Sequence, residues 1–326
     1  MPVIAFCMSS FAIQRSARPG AAGIKGWLLL VGYLVLYAAA LFGMTRFGQF
    51  DAGDAIGVFL VLGVGFSLLA WLLTLGVQPL PFFVRRPALE LLTLLLYLLP
   101  LAAFIAYGFA AIHRWVTTEP ADSLAILAAK LLVFVAIPAW FIVKRSRYTF
   151  QQIAPMSFKT SHMLAMLGMS VAVIAFQVVA GRGWRDIVAA NADDEKLLFR
   201  FPLVFLWLVM EVGVVEEFFF RVLLQSRLAA TLRSELGGIV LASLLFGLVH
   251  APGLYLRTGI TQEGLGAHPS LFMAIGYSIV ITSVAGFFFG VLWSRTRNFL
   301  LLVVVHAAAD LLPNAIPTMR AFHLLK

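Results

Sequence analysis

Along the chain, long apolar runs alternate with short segments bearing charges, glycine or proline. A helix rises about 1.5 Å per residue, so about 20 apolar residues cross the hydrocarbon core of a bilayer. Nine runs of that kind lie near 26–44, 55–77, 88–112, 123–143, 161–180, 201–225, 236–256, 269–294 and 299–317. The pattern predicts an all-α fold, a polytopic transmembrane helix bundle of about nine spans.

Composition agrees and narrows the class. Of 326 residues, 62% are hydrophobic and 12% charged, about half the charged share of a soluble domain. A soluble enzyme, a disordered chain, collagen and a disulfide-stapled module are excluded on these figures. The single cysteine, Cys7, permits neither an internal disulfide nor a cysteine metal cluster.

A net charge of +9 invites a nucleic-acid reading, but its distribution answers to a membrane. One set of alternate loops holds 13 Lys and Arg with two acids, Glu90 and Glu235; the other holds nine of each sign. The basic surplus belongs to one side, which the positive-inside rule makes the cytoplasm. The N-terminus is then cytosolic, with residues 1–25 as a leader that lacks the basic start of a signal peptide. The expected partner is the lipid bilayer, and no nucleic acid.

Six ionisable residues fall inside the spans: Lys130, Glu211, Glu216, Glu217, Arg221 and Asp310. A charge at mid-membrane costs about 2.5–3.5 kcal/mol on insertion scales, so such groups usually face an interior cavity. Lys130 is close enough to a helix end to snorkel to the interface. Glu217 and Arg221, four apart with the acid first, should pair on one helical face. Glu216 points about 100° away from Glu217 and is left free to address another helix. Two further i, i+4 pairs follow, Phe246 with His250 and His306 with Asp310. Of six histidines only His250 and His306 are well inside spans; His113, His162, His268 and His323 read as loop or interface residues. Counted from the cytosolic charges, Glu216, His250 and His306 could meet at similar depth, in a cavity open towards the cytosol.

Taken together, Glu216-Glu217-x-x-x-Arg221, Phe246-x-x-x-His250 and His306-x-x-x-Asp310 resemble the CPBP family, the CAAX prenyl proteases of the Rce1 type and the bacterial Abi proteins. The resemblance covers roughly residues 200–317, a four-helix catalytic core, with 26–180 as an accessory five-helix region. It implies an intramembrane endopeptidase of the bacterial cytoplasmic membrane, acting on a peptide or membrane-anchored protein substrate. By that resemblance Glu216 and His250 activate a water, and His306 and Asp310 stabilise the oxyanion or position the water. Glu217, Arg221 and Phe246 support them. Asp310 stands where some members carry an amide, and an ionised carboxylate cannot donate to an oxyanion. A metal-free reaction is the favoured reading. A Zn²⁺ variant would use Glu216, His250 and His306 as ligands. A non-catalytic immunity or scaffold protein and a proton-coupled transporter are the rival classes; no inverted repeat of broken helices supports the transporter.

Overall fold

The structure, a computed structural model, describes residues 23–48, 50–190, 194–256, 265–266 and 268–325. The expected leader lies outside the described residues as far as residue 22. Among the described residues there are nine long helices: α1 (Ile24–Gly48), α2 (Ala52–Leu73), α3 (Pro87–Trp115), α4 (Ala121–Ser146), α5 (Thr160–Ala180), α6 (194–232), α7 (Glu235–Leu256), α8 (Leu271–Thr296) and α9 (Phe299–Ala321). Eight of them are apolar enough, as well as long enough, to cross a membrane. The ninth, α6, carries Glu211, Glu216, Glu217 and Arg221, and that charge keeps it from qualifying. The chain is thus an integral multi-pass membrane protein.

Local chemistry sets the helix ends. Asp51, Ser234 and Ser270 cap α2, α7 and α8 by accepting from backbone N–H groups two or three residues on. Three helices, α4, α6 and α8, run into an arginine with left-handed backbone: Arg147, Arg233 and Arg297, with φ of 52°, 56° and 50°. Glycine usually takes that position. An arginine there sets a positive charge against the negative end of the helix dipole. All three mark the same end of the bundle, the one with the basic loops.

Two helices form the centre. In α8 and α9, 61% of the most apolar stretch is buried inside the protein, against 11–22% in α1 to α5. The outer helices therefore turn most of their apolar surface outwards, with Leu28, Leu96 and Leu99 among the exposed side chains. In a bilayer these face lipid. The inner and outer groups nevertheless share one interior, where Phe66, Leu94, Phe134 and Met169 pack in the same cluster as Phe220 and Leu302. α6 and α9 approach closely at Gly213, where a Cβ would come within 2.6 Å of the Val303 carbonyl oxygen. Gly213→Ala should destabilise the protein by about 1–3 kcal/mol through overpacking, read as a lower unfolding temperature in detergent.

Three sequence expectations change. Glu90 and Arg227, counted as loop charges, are buried and paired at 3.0 Å, with Ser146 and Tyr148 also donating to Glu90. Being of opposite sign, they leave the loop balance as it was. Burial pushes the Tyr148 phenol above its ordinary pKa, so it remains a donor. His162, read as an interface residue, is 1% exposed because α5 packs flat against α9. Lys130, read as snorkelling, stays inside and forms an ion pair with Glu211. It lies too far along α4 from Ala121 for its ammonium to be drawn out when a carboxylate stands beside it.

Candidate active site

The charged span owes its shape to wide, π-type turns at Val209–Val214 and Phe218–Gln225, on either side of the short α-helical stretch Val215–Glu217. Such turns recur at functional sites because they release carbonyls and re-aim side chains. Here the released oxygens of Arg221 and Val222 are taken by Ser226 and Arg227 side chains, five residues on, at 3.1 and 2.9 Å.

Glu216 and Glu217 divide as helical geometry requires. Glu217 is fully buried and holds two groups at once: Arg221 Nε at 3.4 Å from Oε2, and His306 Nδ1 at 2.7 Å from Oε1. Arg221 also lies over the Phe246 ring, 5.0 Å from its centre. Glu216 keeps 18% of its side chain accessible and sits 3.9 Å from His306 Nε2. Asp310 lies equally far from the same nitrogen, with 33% of its side chain accessible. The His306 ring is clamped from the side by Phe289, stacked at 4.3 Å and 24°. Since a carboxylate only accepts, Nδ1 of His306 carries a hydrogen and donates to Glu217.

His250 is positioned by a break in α7. Pro252 has no N–H to offer the ladder, and the helix tightens just before it. The His250 N–H bonds to the Gly247 carbonyl at 3.0 Å instead of to Phe246. The Phe246 oxygen is then free to accept from His250 Nδ1, at 2.7 Å. This is a physical reason for the four-residue spacing of phenylalanine and histidine. It also leaves Nε2 of a neutral His250 as an acceptor, facing away from its own helix.

Two cavities meet here. The first, about 240 Å³, is walled by Ile105, Phe109, Phe134, Phe220 and Leu254, with Lys130 as its cation. The second, about 270 Å³, is more polar, with Gln177, Thr282, His306 and Asp310 on its walls. Among the described residues, Glu216 and His250 are the two that line both. The four residues singled out for chemistry, Glu216, His250, His306 and Asp310, therefore all face the second cavity. Sequence reasoning singled out Lys130 only as a snorkelling residue, and missed Gln177. Lys130 had a signal, a cation in an apolar run; Gln177 had none.

Depth differs from the expectation of a site opening at the basic end. His250 follows Glu235 by 15 residues, about 22 Å along α7. Ile105 and Phe109 belong to the last third of α3, and Gly253 and Leu254 to the end of α7. The first cavity thus lies in the half of the bundle away from the basic loops.

Among the described residues no three His, Cys, Asp or Glu side chains are disposed to hold a metal ion. Glu217 holds Nδ1 of His306 and the Phe246 carbonyl Nδ1 of His250, which leaves Nε2 of each ring open.

Comparison with known proteins locates one likeness. Residues 198–312, roughly a third of the chain, match the family model described as Type II CAAX prenyl endopeptidase Rce1-like. No curated protein and no solved structure matches the chain.

Proposed function

We propose, on the match of residues 198–312 to the Type II CAAX prenyl endopeptidase Rce1-like model, that the chain hydrolyses a peptide bond of a membrane-anchored substrate, with Glu216 as the base. The observation that carries this reading is the pair of cavities that share Glu216 and His250 as wall residues. A hydrolase must bring water and an apolar peptide to one point while keeping them apart elsewhere. The polar cavity suits the water and the apolar one the peptide.

The chemistry follows from the groups in hand. Glu216 takes a proton from water while His250 Nε2 accepts the second hydrogen and aligns the oxygen for attack on the scissile carbonyl. The carbonyl oxygen gains the negative charge, which needs a donor. His306 can donate through Nε2 only if it carries both protons, since Nδ1 is committed to Glu217. The carboxyl groups of Glu216, Glu217 and Asp310 all lie within 3.9 Å of its ring nitrogens. Collapse of the tetrahedral intermediate breaks the C–N bond, and Glu216 returns its proton to the leaving amine. Asp310, an acceptor, serves His306 and the water rather than the oxyanion. Residues 200–317 hold this chemistry, and 26–180 add the walls contributed by α2 to α5. The basic loops face the cytosol of a bacterial membrane, so the peptide meets Glu216 from the far half of the bilayer.

The test is a comparison of peptide termini in membranes from cells making the intact protein or its Glu216→Gln variant. New substrate termini should appear only with the intact protein; identical sets would refute the reading. A chelator should leave turnover of the purified protein within twofold. Loss of turnover restored by Zn²⁺ would make the reaction metal-dependent.

A further inference from the structure

We infer that Gln177 is a further catalytic residue of this site, its side-chain amide donating a hydrogen bond to the scissile carbonyl oxygen as that oxygen gains negative charge. The inference rests on the endopeptidase reading above. It adds a residue from α5, outside the residues matched by the family and outside all three motifs.

A gap in the backbone ladder of α9 sets the amide in place. In a helix the Ala309 carbonyl accepts from the residue four positions on, which here is Pro313, and proline has no N–H. Gln177 Nε2 takes up that carbonyl from α5, at 3.3 Å. The elbow after α5 packs on the same turn, since a Cβ at Gly183 would come within 2.3 Å of the Leu312 carbonyl carbon. An amide nitrogen carries two hydrogens. The Ala309 oxygen uses one, and the second is left for the polar cavity, which Gln177 lines together with Ala309 and Asp310.

The other polar groups of that cavity show what such a hydrogen is for. Among the described residues, its polar walls are Gln177, Glu216, His250, Thr282, His306 and Asp310. As carboxylates, Glu216 and Asp310 only accept, and a neutral His250 has spent its hydrogen on the Phe246 carbonyl. His306 donates through Nε2 only as a cation, because Nδ1 is held by Glu217. Gln177 and Thr282 remain as donors whose hydrogen does not depend on protonation. A hydroxyl rotates and accepts as readily as it donates, whereas the Gln177 amide is planar and anchored at Ala309. A donor fixed beforehand needs no reorganisation when the oxyanion develops. The anchor is one residue from Asp310, whose carboxylate stands 3.9 Å from His306 Nε2, so the amide is held beside the reacting groups. Gln177 neither gains nor loses a proton in the step.

A thioamide tests donation separately from packing, because sulfur accepts hydrogen bonds more weakly than oxygen. The full-length protein in detergent is given fluorogenic S-farnesylated peptides with oxygen or sulfur at the scissile carbonyl. Gln177→Met should lower kcat for the oxygen peptide about 100-fold, as loss of one oxyanion donor does, with KM changed by less than about threefold. The oxygen-to-sulfur ratio of kcat should shrink by about tenfold or more, since the lost donor favours oxygen. Thr282→Val should leave that ratio as it is in the intact protein. If Gln177→Met fails to fold, Pro313→Ala decides the matter. It returns a helical N–H to Ala309 and loosens the anchor, so kcat and the ratio should both fall while the unfolding temperature does not. The inference is overturned by a Gln177→Met kcat within about threefold of the intact protein, by a lower kcat with an unchanged ratio, or by a ratio that collapses in Thr282→Val instead. Failure of the endopeptidase reading shows separately, as cleavage of the oxygen peptide that survives Glu216→Gln.

Discussion

Glu216→Gln should lower peptide-bond hydrolysis by about 10³–10⁴-fold, the upper part of the range for loss of a positioned general base. The substitution keeps the shape of the side chain and removes only its ability to take a proton. Folding should be unharmed. Glu216 stands 3.9 Å from His306, and His306 retains its 2.7 Å bond to Glu217. The unfolding temperature should stay within a few degrees, since one of several neighbouring negative charges is relieved. The rates come from single-turnover cleavage of a labelled peptide in detergent, and stability from the same preparation. A variant that keeps more than a tenth of the activity would place the base elsewhere, and a non-catalytic scaffold would show no cleavage in either form.

Arg221→Met should have the largest effect on stability. Arg221 and Glu217 are both fully buried, and the arginine is the positive partner on the same helix that keeps the Glu217 charge tolerable. Breaking such a pair by removing one member costs about 3–5 kcal/mol, because the other charge stays behind. That is a large part of the total stability of an ordinary domain, so the accumulated yield should fall sharply. The double variant Glu217→Gln/Arg221→Met removes both charges and should recover most of the loss. It should not recover activity, because an amide at 217 no longer holds His306 as a carboxylate does. Unfolding in detergent gives the first quantity and single-turnover cleavage the second. Recovery of full activity in the double variant would show that Glu217 orients nothing.

Motif spacing carried much of the site. The separation of Glu216 from Glu217 around the helix, and the i, i+4 pairing of Glu217 with Arg221, are consequences of a 3.6-residue repeat that any reader of the chain can compute. The pairing partner of His306 could not be computed so. Asp310 is four residues away and looks the natural choice, yet it lies 3.9 Å off while Glu217, 89 positions distant, sits at 2.7 Å. Lys130 was misread for the same reason: its partner Glu211 is 81 positions away. A snorkelling lysine and a paired lysine look identical along one strand of sequence.

Membrane insertion, the helical class, the approximate number of spans and the candidate acids and histidines were determined by the chain alone. Each depends on local quantities: the apolar length needed to cross lipid, the cost of charge there, and the repeat of a helix. The tertiary structure decided which carboxylate holds which imidazole, that two cavities meet at Glu216 and His250, and that the first lies away from the basic loops. Those facts arise where α4, α6, α7 and α9 pack side by side, and contact between helices distant in sequence leaves no mark on the pattern within any one of them.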